Sequence, residues 1–273
     1  MRILISVDME GIAGVTGREE IMRGHHDYER FRHLMTAEAN AAIAGAFDGG
    51  ADSVVVNDSH GGMRNLLYEE LDPRAELISG HNKVLTMVEG GQDTQGALFI
   101  GYHARAGTGG AVMDHTISGA QVHNWFLNGT PVSEAEINAA LLGHYGVPVL
   151  LVSGDDKIAR EVNERLPGVA TAIVKHGMDH RAARALPRSV VLQRLHDASQ
   201  EAVSTSARAP IHRVPGPVTF RLEFTRSFYA EVASLMPSVV RLDGRTIEVT
   251  GQDIVEAWRW ASSALRLGST GDN

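Results

Sequence analysis

The sequence contains no cysteine. That absence excludes disulfide bonds, thiolate metal ligands and a cysteine nucleophile, so any bound metal must be held by His, Asp and Glu side chains. The chain also lacks an apolar run of about 18 residues, which a membrane-spanning helix would need. No block of Lys or Arg stands out, and the formal net charge is −8, so nucleic acid is not an expected partner.

The N-terminal segment enters an apolar run directly at Arg2. This run is too short for the hydrophobic region of a signal peptide, and no small-residue cleavage site follows it. We therefore expect a cytoplasmic protein with no membrane partner. The 273 residues, of which 43% are hydrophobic, suffice for a sizeable core in one large domain or two.

Apolar runs of strand length alternate with helix-like segments. The runs show little polar alternation, as expected for strands buried on both faces, and they fall at 3–7, 53–56, 97–100, 148–152 and 170–174. The helix-like segments fall at 31–47, 133–145 and 155–166, and a capping box of Ser133 and Glu136 opens the second. This order predicts a layered α/β/α domain with a mainly parallel sheet.

The character of the chain changes at 206–217, where three prolines mark a connection. A strand-like run at 218–224 follows, and Asp243-Gly244 between two more apolar runs predicts a hairpin. A helix is expected from about Asp253. We therefore predict a main α/β domain at 1–205 that carries the candidate site, a smaller C-terminal α/β portion at 206–267, and a disordered tail at 268–273.

Polar side chains follow the predicted strands. Asp8 and Glu10 come directly after the first strand, and alternation along a strand directs both to the same side. Two like charges repel there unless a cation lies between them. His60 follows the second strand, His103 follows the third, and Glu134 lies at the capped start of a helix. Parallel sheets gather such residues at one edge. These nitrogen and oxygen ligands suit zinc, manganese or cobalt, and they suffice for two ions that share a carboxylate.

Each of these five residues also has an ordinary explanation when it is taken alone. An aspartate can cap a turn, a glutamate can be solvated or complement a helix dipole, and a histidine can lie in a loop or in the core. The placement of all five at one edge is what favours a metal site. His176 and His180 have helical i,i+4 spacing, but Gly177 stands where a zincin helix has a glutamate.

His115 lies after a glycine-rich segment, 107–110, which has the composition of a loop that approaches a ligand closely. It is either a surface histidine or a catalytic group beside the metals. In the second case it would act as a general acid or base, or stabilise the transition state.

The motifs resemble those of the zinc-dependent D-aminopeptidases of the dipeptide-transport operon type. The resemblance runs from about residue 1 to 265 and includes the Asp-x-Glu-Gly motif at Asp8 and the Asn-Asp-Ser-His motif that ends at His60. It also includes the segments at 87–90, 101–106, 113–115, 131–134 and 152–156. The stretch 104–134 aligns only with single-residue gaps, so the resemblance predicts no substrate-binding residues.

The resemblance implies two zinc ions per subunit that share Asp8, although manganese or cobalt could replace zinc. The other ligands would be Glu10, His60, His103 and Glu134. His115 would be the catalytic histidine.

The same resemblance implies an aminopeptidase that acts on short peptides with an N-terminal D-residue and assembles into a homo-oligomer of ten subunits. Three alternatives stay open: an aminopeptidase that prefers L-residues, a two-metal amidohydrolase or phosphoesterase, and a binding protein with no enzymatic activity. A phosphoesterase would need a positive clamp, for which the motifs offer only Arg64 and Arg105.

Overall fold

The computed structural model of the protein describes residues 1–270. Its strands are β1 (Arg2–Val7), β2 (Ser53–Asp58), β3 (Ala75–Ile78), β4 (Gly96–Tyr102), β5 (Val122–Leu127), β6 (Thr130–Pro131), β7 (Val149–Asp155), β8 (Ala170–Asp179), β9 (Ala182–Ala185), β10 (Val218–Phe224), β11 (Val240–Arg241) and β12 (Thr246–Gly251). Its α-helices are α1 (Arg18–Ile21), α2 (Tyr28–Asp48), α3 (Glu134–His144), α4 (Asp156–Arg165), α5 (Arg188–Ser204), α6 (Ser227–Ala233) and α7 (Ile254–Ser269).

The larger sheet has seven strands in the order β3-β2-β1-β4-β7-β8-β9. Every pairing in it is parallel except the β8–β9 hairpin. The predicted α/β class with a mainly parallel sheet is confirmed. The five predicted apolar runs fall on β1, β2, β4, β7 and β8, and only Pro148, just before β7, lies outside its strand.

Helices cover both faces of this sheet, which explains the weak alternation of its strands. In β1, Ile3, Ile5 and Val7 pack on the side of α2, whereas Leu4 belongs to the core cluster on the side of α3. Every residue of β4 and β7 is buried. Strands in this position need apolar side chains on both faces of the sheet. An apolar sequence run without polar alternation provides them.

The smaller sheet is antiparallel and has five strands in the order β11-β12-β10-β5-β6. Helix α7 packs on it, and the rings of Trp125, Phe220 and Trp258 meet there with centroids 5.7–6.0 Å apart. The hairpin predicted at Asp243-Gly244 is confirmed, because a carboxylate oxygen of Asp243 accepts hydrogen bonds from the backbone of Arg245 and Thr246.

Strand β10 of the C-terminal segment pairs with β5 of the preceding segment, so the smaller sheet draws on both. The division at residue 205 stays a prediction. The predicted tail, 268–273, falls partly on α7, which continues to Ser269, and residues 271–273 lie outside the described part of the chain. None of the helices within residues 1–270 is both long and apolar enough to cross a membrane.

Candidate metal centre

Asp8 and Glu10 lie just beyond β1, in a turn that packs closely against the end of β4. The amide of Asp8 donates to the carbonyl of Ile100, and the amide of Gly11 donates to that of Gly101. A Cβ atom on Gly11 would overlap the backbone of Gly101 and Tyr102, so only glycine fits there. This close contact buries both carboxylates, which are 2% and 3% exposed.

The two carboxylate oxygens of Asp8 face different neighbours. Its Oδ1 lies 3.4 Å from Nδ1 of His60, and the same nitrogen lies 2.8 Å from Oε2 of Glu10. Its Oδ2 lies 3.5 Å from Nε2 of His103, which lies 3.4 Å from Oε1 of Glu134. The structure thus brings all five predicted ligands into two groups that share Asp8, and a third group, which overlaps them, consists of Glu10, His103 and His115. Within each group the candidate ligand atoms lie within 4.8 Å of one another.

Both histidines are oriented by backbone carbonyls. Nε2 of His60 lies 3.0 Å from the carbonyl oxygen of Ile21, and Nδ1 of His103 lies 3.0 Å from that of Ala104. A carbonyl accepts only from an N–H, so in each neutral ring the other nitrogen carries the lone pair. That nitrogen faces the carboxylates. This is the tautomer and orientation that a metal-binding histidine requires.

The burial of so many ionisable groups shifts their pKa values. Burial and then the charge of Glu10 raise the pKa of Asp8 to about 8. Burial opposes the ionisation of Glu10, but His60 outweighs it and holds the pKa of Glu10 well below its usual value. Burial likewise opposes a charge on His60, yet Glu10 and Asp8 raise its pKa well above the usual 6.5. Negative charge at this site therefore attracts cations, here protons.

Two buried atoms at the centre also have no hydrogen-bond partner among the described residues, Oδ2 of Asp8 and Nε2 of His103. Buried polar atoms seldom stay unpaired in proteins, because the cost is about 1–3 kcal/mol each. A divalent cation bound between these atoms would satisfy both of them, and metal ligation uses deprotonated carboxylates and neutral imidazoles. The donor set therefore fits a metal ion.

His115 lies beside both groups. Its ring stacks on that of His103 with centroids 4.1 Å apart, and its Nε2 is 3.9 Å from Oε1 of Glu10 and 3.7 Å from Oε1 of Glu134. Its Nδ1 lies 2.8 Å from the carbonyl oxygen of Met113 and donates to it. Burial and then His103 lower the pKa of His115, so the neutral ring presents the lone pair of Nε2 to the centre.

The backbone on either side of His115 is strained. Met113 and Ile117 have φ angles of 52° and 65°, in the left-handed region that non-glycine residues seldom adopt and that β-branched residues avoid most. Such strain costs about 1–3 kcal/mol and persists where the surrounding structure holds it, often at functional sites. The loop thus holds His115 in a fixed position over the carboxylates.

Glu134 reaches the centre from the first turn of α3. Ser133 caps this helix by accepting a hydrogen bond from the amide of Glu136, and the side chain of Glu136 accepts one from the amide of Ser133. The predicted capping box is confirmed. One carboxylate oxygen of Glu134 also accepts a hydrogen bond from the amide of Ile117, which ties the helix to the His115 loop.

The sequence reasoning missed Lys175, although this lysine fixes the turn that carries Glu10. It is fully buried on β8, and its Nζ donates to the carbonyls of Glu10, Ile12 and Val15 over 2.5–2.9 Å. Burial lowers its pKa to about 8. A lysine directly after the apolar run 170–174 was the available signal, because a charge in a buried strand requires partners.

Two more residues that the sequence reasoning missed shape the loop of His60. The carboxylate of Asp58 accepts hydrogen bonds from the amides of Asn65 and Leu66, which closes the loop around His60. The buried Nζ of Lys83, from a separate segment of the chain, donates to the backbone carbonyl of Asp58. These hydrogen bonds support the loop that carries His60.

His176 and His180 do not join the metal centre. His176 lies on β8 rather than on a helix, and His180 lies in the following turn, where its Nδ1 is 2.7 Å from Oδ1 of Asp114. The two histidines therefore do not lie on one face of a helix, as their i,i+4 spacing would suggest.

Two cavities meet at the centre. The larger has a volume of about 900 Å³ and the smaller about 220 Å³, and Glu10, His60 and His115 line both. The larger opens between α1, the His60 loop and the β8–β9 turn. The smaller lies on the side of α7, where Trp258 and Leu265 form part of its wall. A ligand that spans the centre would therefore place one part in each cavity.

Comparisons with known proteins agree with this geometry. The family model described as D-aminopeptidase (Peptidase_M55) matches residues 1–263. A D-aminopeptidase of Bacillus subtilis (strain 168) is 40% identical over 261 residues, which are 95% of this chain and 94% of that protein. A solved structure, described as "Zn-dependent D-aminopeptidase DppA from Bacillus subtilis, a self-compartmentalizing protease", superimposes with a TM-score of 0.94 at 39% identity, over 98% of both chains. The chain therefore belongs to the D-aminopeptidase family, a family of peptide hydrolases.

Proposed function

We propose that this protein is a metallo-aminopeptidase that removes an N-terminal D-residue from short peptides, with two zinc ions in each subunit. The observation that carries the proposal is the position of Asp8, whose two oxygens face two separate groups of buried ligands. Membership of the D-aminopeptidase family and the zinc dependence named for the DppA structure support the choice of reaction and metal.

The two groups suggest how the ligands divide between the ions. Glu10 and His60 would hold one ion and His103 and Glu134 the other, with Asp8 as the bridge. When bound, divalent zinc polarises a carbonyl group and lowers the pKa of water towards about 7. Mn²⁺ and Co²⁺ accept the same nitrogen and oxygen ligands and could substitute.

His115 would transfer the proton that the attacking water loses. Its neutral ring presents the Nε2 lone pair towards the carboxylates, so it is in the state that accepts a proton from an attacking water. As an imidazolium it would then donate a hydrogen bond to the oxyanion of the tetrahedral intermediate or return the proton to the leaving amine.

A free N-terminus would also fit the metal centre. Two divalent ions more than offset the charges of Asp8, Glu10 and Glu134, so the α-amino group would bind in its neutral form. Its lone pair could then ligate an ion, or its N–H groups could donate to a carboxylate, whereas the nitrogen of an internal peptide bond shares its lone pair with the carbonyl group. The amine would therefore position the first residue next to the reacting groups.

The proposal includes assembly and location. The related DppA structure is described as a self-compartmentalizing protease, and the 0.94 TM-score over nearly the whole chain supports a homo-oligomer here, with ten subunits as the proposed number. Light scattering should then give ten times the 29.4 kDa of one chain. We also propose a cytoplasmic location, which cell fractionation would test.

A hydrolysis panel of matched D- and L-aminoacyl dipeptides tests the reaction, with zinc, manganese and cobalt compared. We expect cleavage of the D-series, in proportion to the metal bound, and loss of activity with a chelator. Preferential cleavage of the L-series would overturn the stereochemical assignment. Hydrolysis of phosphomonoesters without peptidase activity would indicate a phosphoesterase, and a metal-loaded protein inactive on every substrate would indicate a binding protein.

A further inference from the structure

Four arginines line the larger cavity. Arg18 and Arg23 come from the segment around α1, Arg64 from the loop after His60, and Arg181 from the β8–β9 turn. All four are exposed. Three separate segments therefore bring positive charge to one cavity, in a chain whose formal net charge is −8.

These guanidinium groups are not neutralised by the protein. None of the four forms an ion pair with a residue in the range 1–270. The cavity wall contains two carboxylates, and both are occupied. Glu10 is one of the candidate metal ligands, whereas Asp114 pairs with His180 and accepts from the amide of Gly107. The arginines are thus available to an anionic ligand.

The size of the smaller cavity indicates which part of a peptide it holds, and therefore which part lies near the arginines of the larger cavity. Its volume of about 220 Å³ is far below the 900 Å³ of the larger cavity, so it accommodates the smaller part of a substrate. Met63, Met87, Ile117 and Leu265 supply the apolar part of its wall, and Arg266, which also lines it, donates to the carbonyl of Lys83. An aminopeptidase separates one residue from the rest of the peptide. The N-terminal side chain therefore fits the smaller cavity, and the remainder of the peptide fits the larger one.

We propose that the arginines of the larger cavity bind the C-terminal carboxylate of the substrate. This inference rests on the proposed aminopeptidase activity and deepens it, because it defines the substrate class as peptides of two or three residues with a free carboxyl end. Arginine suits this task, since its planar fork pairs with both oxygens of a carboxylate. In longer peptides the carboxylate passes beyond the arginines and their contribution is lost.

The first test compares a D-aminoacyl dipeptide with its C-terminal amide, using the zinc-loaded protein. We expect the amide to have a KM about 10- to 100-fold higher, the usual effect of losing charge-assisted hydrogen bonds, with kcat little changed. The penalty should shrink in tetrapeptides and pentapeptides. Equal kcat/KM for the dipeptide acid and amide would overturn the carboxylate site and leave the aminopeptidase intact. Hydrolysis of neither peptide would defeat both proposals.

The second test replaces the arginines. Arg64→Gln and Arg181→Gln should each raise KM for the free acid several-fold and leave KM for the amide almost unchanged, because the amide has no carboxylate to lose. Arg160→Gln is the matched control, since Arg160 is equally exposed but lies on α4 outside both cavities. An equal effect of either cavity variant on the acid and the amide would overturn the proposal. So would a change in subunit number by light scattering, which would make these arginines subunit contacts.

Discussion

The two sheets contribute to the site in different ways. In the seven-stranded sheet, β1, β2 and β4 run parallel, and the segments after them carry Asp8, His60 and His103. In the five-stranded antiparallel sheet, β10 alternates between buried apolar and partly exposed residues and packs its apolar side on α7. No residue within its strands belongs to any of the three candidate ligand groups.

Strand direction explains the difference. Parallel strands all end at one edge, so the polar residues that follow them converge without any further design. Antiparallel strands end alternately at opposite edges and cannot do this. The antiparallel sheet instead holds α7, whose Trp258 and Leu265 line the smaller cavity. The parallel sheet thus positions four of the five candidate ligands, whereas the antiparallel sheet supports part of the cavity wall and is followed, three residues after β6, by Glu134.

The largest effect on activity is expected from a substitution next to the parallel sheet. Asp8→Ala removes the shared carboxylate and should cost at least one ion per subunit and about 10³-fold or more in kcat/KM, because two-metal catalysis depends on both ions. Metal analysis of the purified variant measures the first effect directly. Asp93→Ala is the control, since Asp93 is exposed in a short 3₁₀ helix and belongs to none of the candidate ligand groups. Full metal occupancy in Asp8→Ala would refute the bridging role.

His115→Ala should reduce kcat by about 10²- to 10⁴-fold, the usual contribution of a general acid or base, and retain the metal. His123→Ala, an exposed histidine on β5 of the antiparallel sheet, should change neither quantity. Steady-state kinetics and metal analysis on the same preparations make the comparison. Loss of metal from His115→Ala would identify His115 as a ligand instead.

Substitutions in the antiparallel sheet should change the stability of the protein rather than its metal content. Phe220→Ala empties a fully buried position between two tryptophans and should lower the free energy of unfolding by about 3–5 kcal/mol. Phe126→Ala, on the neighbouring strand and only partly buried, should cost less. Urea denaturation measures both. A folded Phe220→Ala protein that lost its metal would contradict the separation of roles between the sheets.

The smallest effect concerns Glu38, which supports the turn after β1 by accepting a hydrogen bond from the amide of Ala13. Burial raises its pKa from the usual 4.5 to about 7. The folded state therefore holds this proton more tightly than the unfolded state, and the resulting stability is lost as the pH rises from about 4.5 through 7. Glu38→Gln keeps an acceptor without the charge.

Relative to the wild type, Glu38→Gln should therefore gain stability as the pH rises from 5 to 8, by at most about 3 kcal/mol. Urea denaturation at several pH values gives the difference curve. Glu164→Gln, at an exposed position on α4, should give a flat one. A flat curve for Glu38→Gln would show that Glu38 ionises normally in the folded protein.

Elements that depend on local pattern could be predicted from the sequence. The buried strands of the larger sheet are apolar on both faces, and α3 and α4 begin at side chains that cap them, Ser133 and Asp155. Both signals lie within a few adjacent residues. The antiparallel β5–β6 hairpin was missed, although Asn128-Gly129 at its turn has the positive φ angles that this dipeptide favours. The partner of β5 in the sheet, β10, lies about ninety residues further along the chain, where no local pattern reveals it.

The candidate site shows the same limit. Residue types at strand ends and at a capped helix start predicted which five side chains would meet, and strand direction alone brings four of them together. The separate directions of the two Asp8 oxygens and the three carbonyls held by Lys175 depend on tertiary contacts between distant segments. The arginines of the larger cavity likewise come from segments that are far apart in sequence.

The position of α7 has a consequence for the order in which the site is assembled during synthesis. All five candidate ligands and His115 precede α7 in the chain, so the ribosome delivers them first. The helix that closes the smaller cavity begins about 120 residues after Glu134, the last of them. A nascent chain therefore presents its candidate metal ligands well before it has the wall of the smaller cavity.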